Sequence, residues 1–276
     1  YTGKEGFAEQ PYFTAYTLLL AAYTFVGGYR GERFLARISG GRSTDYHASA
    51  AVPYIIATGS AAAIVYRYAG QSQASVALAA LALVLAGLGV ALRATGLKFS
   101  AVTALAVGAG VWFYTLNQTG SALAQHAWLW PMLLAQAAAC IAVERSFFWR
   151  RESENPLGPT EHAAQVVALL IAGGLGAGTL SLATPPGWRT VLVFAHAFAW
   201  IGACVLLVDP QFRWTALLVL LASVTWLAYI QRSAVPGGSM VVLVATAAVL
   251  LAVLFAIWFI LPHRSLPGGP HLAAHK

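Results

Sequence analysis

Apolar and polar positions alternate along this chain in long blocks. Apolar runs occupy residues 11–28, 48–66, 74–92, 99–116, 127–143, 163–182, 191–208, 214–230 and 240–261, with short polar breaks between them. Each run is close to the roughly 20 residues that an α-helix needs to cross a hydrocarbon layer about 30 Å thick. The pattern predicts an all-α fold, a polytopic transmembrane helical bundle of about nine spans. The break at 144–162, ERSFFWRRESENPLGPTEH, holds seven of the chain's 25 charged residues. It separates a five-span half (11–143) from a four-span half (163–261). A polar segment (1–10) precedes the first run, and a Pro/Gly-rich tail (262–276) is predicted to be flexible.

Local signals refine these blocks. Tyr12, Tyr16, Tyr23 and Tyr29 are spread through the first run, as in an interfacial aromatic belt. The polar stretch 30–47 carries Arg30, Arg33, Arg37 and Arg42 and reads as a basic loop, within which GERFLARI can form a short interfacial helix. Pro53 falls one turn into the second run, where a missing amide donor costs least. Trp128, Trp130 and Pro131 anchor the start of the fifth. Phe147, Phe148 and Trp149, followed by Arg150 and Arg151, predict a docking loop that anchors at the membrane surface. Thr160 and Glu161 supply an N-cap and a dipole partner for the sixth run. Two small-xxx-small steps, Gly59 with Ala63 and Gly174 with Gly178, mark helix faces suited to close packing.

Composition points the same way. The chain is 59% hydrophobic and 9% charged, with a mean hydropathy of +0.70. Soluble domains are about 25% charged, so the main solvent of this chain is lipid. The net charge of +7 would suggest a nucleic-acid partner in a soluble protein. Here its distribution suggests topology instead. With nine spans, twelve of the 16 lysines and arginines fall on one side and four on the other. This bias predicts an outside N-terminus, with the central loop and C-terminus cytoplasmic. Cys140 and Cys204 lie inside apolar runs and are expected to act as small hydrophobes without a disulfide. Residues 1–10 lack a signal-peptide pattern. A chain beginning with Tyr1 is expected to be a processed product or the ordered part of something longer.

Chemistry is sparse. All 25 Asp, Glu, Lys and Arg residues are placed by this division in loops or at span ends. Coupled transporters, voltage sensors and pumps need ionisable groups inside the bilayer, so those classes are disfavoured. His196, in VFAHAFAWIG, is the exception and the candidate cofactor-binding residue, as a haem or pigment ligand. Its simpler role is a neutral imidazole bonded to a neighbouring helix, because His47, His126, His162 and His263 lie at membrane edges and offer no partner at its depth. Gln136 and Gln165 are expected to form interhelical hydrogen bonds. Ser43, Asp45 and His47 are too close along one loop to converge as a catalytic triad. No P-loop, GxSxG, HExxH or CxxC pattern occurs, so neither a catalytic nor a metal site is predicted.

Three stretches carry a family resemblance: PYFTAYTLLLAAYTFVGGYRGERFLARISG (11–40), LALVLAGLGVALRATGLKFSAVTALAVGAGVWFYTL (81–116) and DPQFRWTALLVLLASVTWLAYI (209–230). Together they resemble a large bacterial family of polytopic membrane proteins with a domain of unknown function. The resemblance implies the cytoplasmic (inner) membrane of a bacterium and carries over no functional residue. The expected function is a non-catalytic membrane subunit, either a structural scaffold or an accessory component of a larger assembly, with lipid and other membrane subunits as partners. The alternatives are a transporter or lipid-handling protein with a backbone-lined cavity, and a haem- or pigment-binding redox subunit.

Overall fold

A computed structural model describes residues 11–38, 45–69, 71–119, 129–147, 159–184, 186–207 and 221. Seven α-helices are seen: α1 (Pro11–Ile38), α2 (Asp45–Ala69), α3 (Gln71–Ala91), α4 (Thr95–Thr119), α5 (Leu129–Ser146), α6 (Pro159–Ala183) and α7 (Pro186–Leu207). The described residues form helices and turns with no strand. Each helix corresponds to one of the first seven apolar runs. Three of them, α3, α4 and α6, are long and apolar enough to cross a membrane. In α1 and α2, tyrosines and hydroxyl side chains dilute the apolar character. The eighth and ninth runs lie outside the described residues.

Two boundaries differ from the sequence expectation. The first helix does not end at the Gly27-Gly28 pair but continues through the basic stretch to Ile38. GERFLARI is therefore the last part of α1, not part of a loop. The second helix begins at Asp45, so Pro53 lies inside it rather than in its first turn. The missing amide donor is thus an interior one.

The chain divides into two compact units, Tyr1–Arg189 and Thr190–Lys276. Within the first, contacts fix the direction of each helix. Thr14 Oγ1 bonds Tyr68 Oη at 2.8 Å, and Tyr54 Oη donates to Glu32 Oε2 at 3.2 Å, so α1 and α2 are antiparallel. The start of α4 lies against Gly89, and Gly108 lies against Leu78, which makes α3 and α4 an antiparallel hairpin. Phe99 near the start of α4 meets Phe147 just after α5, and Gln165 of α6 reaches Glu144 of α5. One end of this unit thus gathers the C-terminal ends of α1, α3 and α5 and the N-terminal ends of α2, α4 and α6.

The distribution of side chains within the unit suits lipid. Ser75, Ser100, Gln136, Gln165, Thr179 and Ser181 are buried between helices, while Leu83, Val84, Val107, Leu134, Ile141 and Val167 are exposed. Small and hydroxyl side chains allow close helix approach, and in lipid an outward Leu or Val costs nothing.

Candidate functional site

The end that gathers Glu32, the α3–α4 turn and Glu144 contains the buried charged residues of the described helices. The turn between α3 and α4 is short. Leu92 N and Ala94 N donate back to Leu88 O and Gly89 O at 2.8 and 2.9 Å, and Arg93 has a φ of 53°. That left-handed conformation is uncommon for a residue with a Cβ. Leu92 O accepts Arg33 Nη2 at 3.0 Å, and Arg33 Nε donates to Tyr29 Oη at 3.3 Å.

Beyond this turn the amides at the start of α4 are free of intrahelical partners, as at any helix N-terminus. Their acceptor comes from another helix. Glu32 Oε1 receives Thr95 N at 2.6 Å and Gly96 N at 3.3 Å, and its Oε2 receives Tyr54 Oη. The carboxylate thus takes the place of an N-cap side chain, with its negative charge at the positive end of the α4 dipole. Glu32 is 5% exposed and Tyr54 1%. The Tyr54 ring lies between two glycines. A Cβ on Gly28 would be 3.2 Å from the ring, and one on Gly96 would be 2.4 Å from it. Phe25 meets the same ring edge-on at 5.8 Å.

A second buried cluster lies further along α4. Lys98 is 8% exposed and lies over Gly89, where an added Cβ would be 2.8 Å from the lysine Cγ. Its Nζ is 5.8 Å from the centroid of the Phe147 ring, a cation–π arrangement. The Phe147 amide donates to Glu144 O at 3.2 Å. Glu144 is fully buried, with Arg145 Nε 3.1 Å from its Oε2. Gln165 Nε2 donates to Glu144 O at 3.4 Å, tying α6 to the end of α5.

Hydropathy alone puts Glu32, Lys98 and Glu144 in a loop or at span ends. In the fold, Glu32 is in helix, and all three are enclosed by neighbouring helices. Glu32 accepts three hydrogen bonds, so the carboxylate is oriented and occupied. Among the described residues no group of three or more His, Cys, Asp or Glu could hold a metal ion.

The residues singled out from the sequence are dispersed. Gly178 receives the edge of Phe113, because a Cβ there would be 2.2 Å from the ring, whereas a Cβ on Gly174 would meet nothing. Next to this contact, Trp112 Nε1 donates to Thr179 Oγ1 at 2.9 Å. Gly59 and Ala63 lie on an exposed face of α2. Of the docking-loop residues, Phe147 is turned inward and 2% exposed, away from any outer surface. Phe148, Trp149, Arg150 and Arg151 lie outside the described residues. So do Ser43 and the side chains of Asp45 and His47. Gln165 bonds between helices as expected, but Gln136 Nε2 donates to Met132 O of its own helix at 3.4 Å. In the second unit, His196 Nε2 accepts Trp200 Nε1 at 3.1 Å, one turn along α7, with the rings edge-to-face.

The residues that organise the site were not prominent in the sequence. Thr95 and Gly96, a small polar pair between two apolar runs, mark a helix start. Nothing local marks Glu32 as their acceptor, since 63 residues separate it from Thr95. Comparison of the chain with protein-family models, curated proteins and solved structures finds no match.

Proposed function

We propose that the chain is a non-catalytic integral membrane subunit, a scaffold or accessory component of a larger membrane assembly. In this reading it crosses the inner membrane of a bacterium about nine times, with its N-terminus outside and its C-terminus cytoplasmic. One observation carries the proposal: the polar side chains of the candidate site bind other helices. Glu32 caps α4, Arg33 holds the end of α3, and Gln165 holds the end of α5. Such contacts fix one helix arrangement and leave exposed apolar faces for lipid and partner subunits.

Isolation in mild detergent tests this function. The chain is expected to elute in size-exclusion chromatography as a complex with at least one other membrane polypeptide in fixed ratio. Recovery as a lone monomer would overturn the subunit reading. It would favour the transporter or lipid-handling reading, which the burial of Lys98 and Glu144 supports, because enclosed ionisable groups in membrane helices often mark a substrate or ion path.

The topology has its own test. The basic residues gather where α1, α3 and α5 end, which supports a cytoplasmic placement of that end. A cysteine introduced by Ser153→Cys is expected to react with an impermeant maleimide only from the cytoplasmic face. One introduced by Ser121→Cys is expected to react only from outside. Labelling of both from one face would overturn the nine-span division.

A further inference from the structure

Positions 12, 16, 19, 23, 26, 30, 33 and 37 of α1 are spaced alternately by four and three residues, so they form one slowly winding stripe along the helix. Its first part is aromatic and aliphatic, and strongly exposed: Tyr12 79%, Tyr16 67%, Leu19 70%, Tyr23 79% and Val26 48%. Its last part is cationic: Arg30, Arg33 and Arg37, all exposed. At the cationic end is an open cavity of ≈770 Å³ lined by Tyr29, Arg30, Arg33, Phe34 and Arg37. Arg33 is held in place by Leu92 O and stacks over Tyr29 at 5.5 Å. Arg30 and Arg37 have no ion-pair partner among the described residues.

We propose that this stripe is a binding site for one anionic glycerophospholipid. Its phosphate would lie among Arg30, Arg33 and Arg37, with an acyl chain along Tyr16, Leu19, Tyr23 and Val26. The lengths agree. Tyr16 to Val26 spans about 15 Å of helix axis, close to the hydrocarbon depth of one leaflet, half of about 30 Å. The chemistry agrees as well, because guanidinium groups present planar paired donors that match phosphate oxygens. The apolar stretch leading to the arginines commits the site to a lipid rather than a free anion. Phe34 adds an apolar contact beside the headgroup, and Arg33, already fixed by Leu92 O, sets the depth of the phosphate.

The inference rests on the membrane placement of α1, so the test separates the two. The full chain is reconstituted into phosphatidylcholine nanodiscs with and without phosphatidylglycerol. Failure to incorporate into either would overturn the membrane placement itself, and the lipid site with it. The incorporated or detergent-solubilised protein is then titrated with phosphatidylglycerol and observed by native mass spectrometry. The exposed pair Arg30→Gln/Arg37→Gln is expected to weaken binding about thirtyfold, at about 1 kcal/mol per basic residue near anionic lipid. Its melting temperature is expected to match that of the unaltered protein. The charge-matched pair Arg213→Gln/Arg264→Gln, on the same predicted side of the membrane, is expected to leave the affinity unchanged. Equal weakening by both pairs would mean diffuse attraction to the basic face and would overturn a defined site. Displacement of the lipid by millimolar inorganic phosphate would show a free-anion site and would also overturn the proposal.

Discussion

Replacing Glu32 with alanine is expected to destabilise the first unit by about 2–4 kcal/mol, because two buried donors and one part-buried donor lose their acceptor at about 1–3 kcal/mol each and their effects overlap. Those donors are Thr95 N, Gly96 N and Tyr54 Oη. Glu32→Gln should cost about half as much. It keeps an oxygen for the α4 amides but loses the charge at the helix N-terminus, worth about 0.3–1 kcal/mol and more where partly buried. The measurement is unfolding in detergent followed by circular dichroism. A Glu32→Ala protein within about 1 kcal/mol of the unaltered chain would show that the capping carboxylate contributes little.

Gly96→Ala is expected to cost about 2–3 kcal/mol by overpacking. The added methyl would be 2.4 Å from the Tyr54 ring, well inside contact distance. The ring has no room to retreat, because a Cβ position on Gly28 is already only 3.2 Å away on the helix opposite. In a Tyr54→Leu background the same Gly96→Ala change should be nearly neutral. The pair therefore forms a double-mutant cycle with a coupling energy in the range of about 0.5–3 kcal/mol. An equal cost in both backgrounds would place the strain somewhere other than the ring.

These two sites also show how far the sequence was legible. The run at 99–116 predicts α4, since apolar length survives any arrangement of neighbours. Its N-terminal cap is different, because the acceptor comes from a distant helix. From sequence alone the first apolar run ends at Gly27-Gly28. In the fold, Gly28 lies inside α1, where an added Cβ would be 3.2 Å from the Tyr54 ring. Punctuation and clearance use the same residue, and only the packed structure tells them apart. Lys98 and Glu144 follow the same logic. A charge beside an apolar run reads as a solvated end, and its burial depends on which helix covers it. Gly174 and Gly178 make one motif in sequence, yet an aromatic edge meets only Gly178. The short α3–α4 turn, by contrast, was visible as a brief basic interruption between two apolar runs.

The separation between Glu32 and the amides it caps also sets a clock. Sixty-three residues lie between the carboxylate and Thr95. At synthesis rates of about 5–20 residues per second, the partner is made roughly 3–13 seconds after the glutamate. Throughout that interval Glu32 has no α4 to cap, although Tyr54, its third partner, follows only 22 residues after it. Two of the three hydrogen bonds that the carboxylate accepts therefore wait until α2 and α3 have been made. The emergence of α4 ends the wait, because a cap supplied by a distant helix forms only once both helices exist.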